Sequence, residues 1–200
     1  PEDFLGEEDR WLDFQAEVAR TVMNAEDRMA AIAELLPDER AVLLCDRGVM
    51  DGAAYLEDGQ FEGVLDRLGA ELAEVREGRY DAVFHLVTAA RGAEEAYNLD
   101  NPTRDETPDQ ARHLDEATLA AWRGHPRLEI VPNTRLTETG ERTKIDFDQK
   151  INRLLRGVCR RLDLPAPLTV ERKFRLAEDV DPGSWPVEVS ASRLRQTYLT

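Results

Sequence analysis

Cysteine is scarce: Cys45 and Cys159 are the two in 200 residues. Neither has a Cys-x-x-Cys partner or a Cys/His neighbourhood, which argues against a metal centre or a redox motif. Both are expected to be reduced, buried thiols. No apolar run approaches the ~18 residues of a membrane span, and no secretory signal is present, so the reading is of a cytoplasmic protein without a membrane span. Positive charge is also short, with 26 Lys plus Arg against 41 Asp plus Glu and a formal net charge of −15. Such a surface repels a nucleic-acid backbone, and no nucleic-acid partner is expected. Small anions can bind only where local arginines overcome that field. Hydrophobic residues make up 42%, enough for a real core.

Apolar periodicity predicts helix over 8–36, where Trp11, Phe14, Val18, Val22 and Met29 recur at helical spacing. A strand is predicted at 41–45, a second amphipathic helix at 60–77 and a strand at 81–89. The charged stretch 91–123 reads as helical with an interruption. A strand at 125–133 and a helix at 146–162, capped by Asp146 or Asp148, complete the series. Long helices alternating with apolar strands predict an α/β fold with a parallel sheet in three layers. Residues 164–168 read as a linker. From 169 the texture changes to strand-like alternation, the start of a smaller β-rich domain too short to close a core alone.

The stretch Ala41-Val-Leu-Leu-Cys-Asp-Arg-Gly48 sets an acid and a base at the end of an apolar run. In open α/β sheets, ligands bind beyond the carboxyl ends of the strands. The Thr88–Arg91 corner and Asn133 also lie at such ends, so three predicted strands carry polar groups to one edge. Asp46 there can hold a metal ion with its water or orient a hydroxyl. Arg47 can clamp a phosphate with two donors. The same pair also reads as a cap on the next helix. Arg104 and Arg112 sit eight apart in a polar insertion, 97–122, and an arginine-bearing helix there can close over phosphates as a lid. A solvated helical hairpin is the other reading of that insertion.

The blocks 43–56, 80–115 and 124–133 resemble the nucleotide-binding AAA-type domain of the TRPL translocation defect protein family and its bacterial relatives, a domain similar to P-loop small-molecule kinases. Val170-Glu-Arg-Lys-Phe-Arg-Leu176 looks like the first strand of the triphosphate-tunnel (CYTH) domain that follows it in that family. The resemblance implies a P-loop NTPase-like unit over 1–163 that takes ATP or GTP with Mg²⁺, joined to an anion-binding tunnel over 169–200. It implies Glu2, Asp46 and Arg47 as catalytic candidates, with Asp46 also at the metal, and Arg104, Arg112 and Asn133 toward nucleotide phosphates. Glu171 and Lys173 fall on one face of the tunnel strand and would bind a polyphosphate anion or a phosphoinositide.

One element of the pattern is missing. No Gly-Lys pair occurs anywhere in the sequence, so the glycine-rich loop ending in Gly-Lys-Ser/Thr, which wraps the β-phosphate in amide donors, is not here. The chain is therefore expected to be a piece of a longer protein, lacking the phosphate-loop strand and cut within the tunnel domain. The rival is a family member that never had the loop. Of the expected Glu-x-Glu-x-Lys tunnel pattern, Glu171-x-Lys173 survives, so anion binding is the safer expectation than triphosphate hydrolysis. The functions that follow are a nucleotide-binding regulatory or ATPase-like module, a P-loop small-molecule kinase, or a GTP- and phosphoinositide-binding regulator.

Overall fold

A computed structural model describes residues 8–37, 41–97 and 106–166. The chain divides at Pro167–Leu168, and all described residues belong to the first unit. Glu2, Arg104, Glu171 and Lys173, with the predicted tunnel strand, lie outside them.

Helix α1 spans Glu8–Glu34. It buries Leu12, Gln15, Ala16 and Ala19 and leaves the larger Trp11 and Phe14 half-buried. Small residues let the helix approach the rest of the unit closely, whereas Val18 stays 42% exposed. A 3₁₀ helix, Val49–Tyr55, follows and buries Val49 and Met50. Helix α2, Gln60–Leu68, ends at Gly69, whose φ of 66° is the left-handed cap conformation that glycine adopts without a Cβ penalty. The amide of Ala70 reaches back to the Leu65 carbonyl at 3.2 Å and closes the end. The helix predicted over 60–77 is thus two pieces, the second a π turn at Glu74–Gly78. Apolar periodicity crosses Gly69 without registering the stop.

Strand β1, Val83–Leu86, pairs in parallel with β2, Leu128–Val131, in the register Val83 to Leu128 through Leu86 to Val131. Between them runs α3, Pro108–Trp122. Its start is well specified: Thr107 caps the Gln110 amide while the Gln110 side chain returns to the Thr107 amide, and Pro108 fills the first turn. After β2 an antiparallel hairpin forms from β3, Thr134–Leu136, and β4, Arg142–Lys144. Helix α4, Phe147–Arg161, begins on Asp146, which accepts from the Gln149 amide at 2.7 Å. The two faces of β1 are covered by different helices. His85 meets Asp115 of α3, and Phe84 meets Gly157 of α4. The described unit is an α/β fold.

The predicted strand at 41–45 is not one. The run forms no regular element and has no ladder partner among the described residues, and Val42, Leu43 and Leu44 are 53%, 42% and 77% exposed. Apolar composition favours a buried parallel strand, but a strand exists only where a neighbour supplies the ladder hydrogen bonds. For the same reason Cys45 is exposed, not buried, and Cys159 is half-buried.

The core gathers Leu12, Val49, Met50, Val64, Val75 and Trp122, among others, so α1, the 3₁₀ helix, α2 and the end of α3 share one apolar cluster. Trp122 meets Tyr80 edge-on, with ring centroids 5.0 Å apart.

The packing of α4 on the sheet is tight at Gly157, where an added Cβ would sit 2.6 Å from the Phe84 ring and 3.1 Å from a Glu129 oxygen. Gly157→Ala gains about 1 kcal/mol of helix propensity, but overpacking costs about 1–3 kcal/mol. The variant is expected to melt at a lower temperature than the parent. A raised melting temperature would contradict this packing.

Candidate functional site

The segment carrying Asp46 and Arg47 is held from behind. Asp51 accepts the Gly48 amide on Oδ2 at 2.9 Å and the indole Nε1 of Trp122 on Oδ1 at 2.8 Å. One carboxylate therefore ties the start of the 3₁₀ helix to the end of α3. The next amide, Val49, donates to the Tyr80 hydroxyl at 2.8 Å, and that hydroxyl donates to Glu26 at 2.7 Å. Burial raises the Tyr80 phenol far above its ordinary value, so it stays a donor over the working pH range. Arg79 binds the other Glu26 oxygen through Nε and Nη2 at 3.1 and 2.9 Å and also reaches Asp27. Gly48 admits no side chain, since a Cβ would lie 2.9 Å from the Trp122 ring.

Asp46 and Arg47 emerge from this frame exposed, and among the described residues neither has a hydrogen-bond or ion-pair partner. Arg47 has φ 76°, a left-handed conformation that costs a side-chain-bearing residue roughly 1–2 kcal/mol. Beside it, α1, the 3₁₀ helix and α2 line a cavity of about 300 Å³ that opens to solvent, walled by Phe14, Val18, Val22 and Phe61 with Gln15, Arg47, Asp51 and Tyr55 as polar groups.

A second polar cluster lies at the carboxyl ends of β1 and β2. Asn133 Nδ2 donates to three carbonyls of the loop after β1: Val87 at 3.2 Å, Thr88 at 2.7 Å and Arg91 at 2.8 Å. Its Oδ1 accepts from Lys150 Nζ at 2.7 Å, and Lys150 also donates to the Val87 carbonyl. Burial lowers the Lys150 pKa, opposed by the charge of Asp115. Asp115 accepts the Thr88 amide at 2.8 Å. His85 Nε2 lies 3.2 Å from Asp115 Oδ1 but off the line of a hydrogen bond, and has no other polar partner among the described residues. Arg112 donates to the Ala90 carbonyl at 2.6 Å and pairs with Asp109.

Of the residues singled out in the sequence, Asn133 and Arg112 are thus brought to one loop, 87–91. Their side chains are engaged with its backbone, so each shapes the loop from where it sits. Asp46 and Arg47 stand on the other polar frame. Sequence reasoning missed Asp51, Tyr80, Glu26, Asp115 and Lys150. The one local signal was His85, a titratable residue inside the apolar run Val83–Val87.

Burial would raise the Asp115 pKa, but the approach of His85 and the bond from the Thr88 amide outweigh it, leaving it below its ordinary value of 3.8. A carboxylate whose pKa is depressed by folding stabilises above its unfolded value and loses that contribution as pH falls through the folded one. Asp115→Asn is expected to cost about 1–3 kcal/mol at neutral pH. The gap should narrow in acid unfolding curves taken below about pH 4. A gap independent of pH would show that the charge on Asp115 does not hold the loop.

A family model described as an AAA domain matches residues 4–138. No curated protein and no solved structure matches the chain. The match covers more than half of the 200 residues, includes both polar frames up to Asn133, and agrees with the parallel β1–β2 pair. The chain belongs to the AAA domain family, whose fold is P-loop NTPase-like and nucleotide-binding.

Proposed function

We propose that this AAA unit takes ATP or GTP with Mg²⁺ at the carboxyl edge of its sheet, as a nucleotide-binding ATPase-like module. The observation that supports the reading best is the loop 87–91, braced by Asn133, Asp115, Lys150 and Arg112. A loop anchored through its carbonyls presents a fixed surface toward phosphates instead of collapsing onto them. Mg²⁺ commonly needs one or two carboxylates, the rest of its shell being phosphate oxygens and water. Asp46, exposed and without a partner among the described residues, fits that requirement. The ion would neutralise charge on the phosphates. Arg47 would pair with an anionic group, Arg104 and Arg112 would serve the phosphates, and Glu2 would act on an acceptor. The same reading gives Glu171 and Lys173 to a CYTH-like anion site for a polyphosphate or a phosphoinositide.

A small-molecule kinase is the second reading, favoured by the cavity at Arg47, which offers room for a second ligand beside Asp46. Regulation through GTP and phosphoinositide is a third, resting on the family resemblance alone.

With no Gly-Lys loop in the sequence, affinity is expected to be weak, so the test must register weak binding. Mn²⁺ with ATP or GTP, in place of Mg²⁺, should broaden the backbone amide resonances of residues 46–48 and 88–92. Asp46→Asn should abolish the broadening at 46–48 and leave the unfolding free energy within about 0.5 kcal/mol of the parent, the range of ordinary surface changes. Broadening that ignores both segments, or survives in Asp46→Asn, would sink the assignment. Micromolar affinity would overturn the argument that the missing loop is the main anchor.

A further inference from the structure

We infer that the cavity beside Arg47 is a binding site for a small acid with a compact apolar body, an aromatic carboxylate or an aromatic phosphate monoester. The inference deepens the proposed function by naming the class of the second ligand. It is tested without nucleotide, so its failure and the failure of nucleotide binding are separable.

The cavity opens to solvent past Arg47, Val18 and Tyr55, so a ligand can enter it from outside, and its buried wall is where an unmet polar group is informative. Three polar side chains, Gln15, Arg47 and Tyr55, border the space without hydrogen-bond partners among the described residues. Gln15 is 8% exposed, on the buried side of α1, and its carboxamide makes no hydrogen bond. Arg47 has no carboxylate against it among the described residues, in a chain with 41 acids and 26 bases. Asp51 also lines the cavity, but its oxygens are engaged by Gly48 and Trp122. Arg47 is therefore the one charged group on this wall with donors to spare among the described residues, and the unusual backbone angle at this residue is kept although glycine would relieve it.

The walls set the rest of the ligand. Val18, Val22 and Phe61 offer apolar surface suited to a ring. About 300 Å³ corresponds to roughly ten waters at their liquid volume. That accommodates a single ring with a short acid arm. An acid group at Arg47 would gain charge-assisted bonds, and Gln15 would bond a substituent or the acid's second oxygen.

Amide-detected NMR titration of this chain tests the site, with phenylacetate, phenyl phosphate, benzyl alcohol and inorganic phosphate as probes. At least one of the two aromatic acids should give saturable shifts confined to Gln15, Val18 and Gly48–Gly52. The acid that binds tighter identifies the source as a carboxylate or a phosphate ester. Benzyl alcohol, lacking charge, and inorganic phosphate, lacking a body, should each bind about tenfold more weakly. Arg47→Gly, which tolerates the same backbone angle, should keep or raise the melting temperature and weaken the acids about tenfold while leaving benzyl alcohol unchanged. Should that variant fail to fold, Gly52→Ala replaces it. Its Cβ would meet Gln15 Oε1 at an ordinary 3.7 Å, so it should fold normally and weaken both acids by crowding the cavity. Acids that bind the Arg47→Gly or Gly52→Ala protein as well as the parent, benzyl alcohol binding as tightly as the acids, or absence of saturable shifts at the cavity residues at millimolar acid would each overturn the inference.

Discussion

The carboxylate of Asp51 is the constraint on which the rest of the candidate site depends. It joins two backbone elements far apart in sequence, the 3₁₀ helix that begins at Val49 and the C-terminal end of α3 at Trp122. A buried indole N–H and a backbone amide satisfied by one ionised group are charge-assisted bonds, stronger than neutral ones. Removing the acceptor would strand two donors, each at a desolvation cost of about 1–3 kcal/mol. Trp122 in turn is part of the apolar cluster with Val49, Met50 and Val64. Polar fixation and apolar packing thus meet in the same side chains, and the exposed pair Asp46 and Arg47 projects from a rigid base.

The second frame obeys the same logic with different chemistry. At the end of β1 the chain must leave the ladder, which frees the carbonyls of Val87, Thr88 and Arg91. Asn133, placed by the parallel register of β2, collects all three. Lys150 from α4 and Asp115 from α3 then close the loop from other directions. Two frames built on buried polar networks carry the residues proposed to meet a nucleotide, while the apolar core supplies the positions of the frames.

Much of this was legible in the sequence where local rules act alone. Asp146 caps α4 as its residue type predicts, and the apolar runs around 83–86 and 128–131 form the parallel pair. The hairpin at 134–144 was not read, because its short strands are polar and its turn rests on Thr137 and Gly140 rather than on a two-residue turn motif. The run at 41–45 shows the limit most plainly. Its composition states a preference for a sheet, but the ladder partner that would realise it is a property of another segment. Asp46 and Arg47 were found because their chemistry is anomalous beside an apolar run. Asp51, Tyr80 and Glu26 were missed because each is ordinary in its own neighbourhood and acquires its role from contacts 31 to 71 residues away.

The central claim is that the segment bearing Asp46 and Arg47 is fixed from behind by the Asp51–Trp122 and Tyr80–Glu26 bonds. Native-state hydrogen exchange at the Gly48 and Val49 amides reads this directly. Both amides should exchange slowly in the parent protein. In Trp122→Phe, which keeps the ring but removes the indole donor, Gly48 should lose protection while the amides of β1 and β2 keep theirs. Gly48 and Val49 amides that exchange freely in the parent, or protection unchanged in Trp122→Phe, would contradict the account.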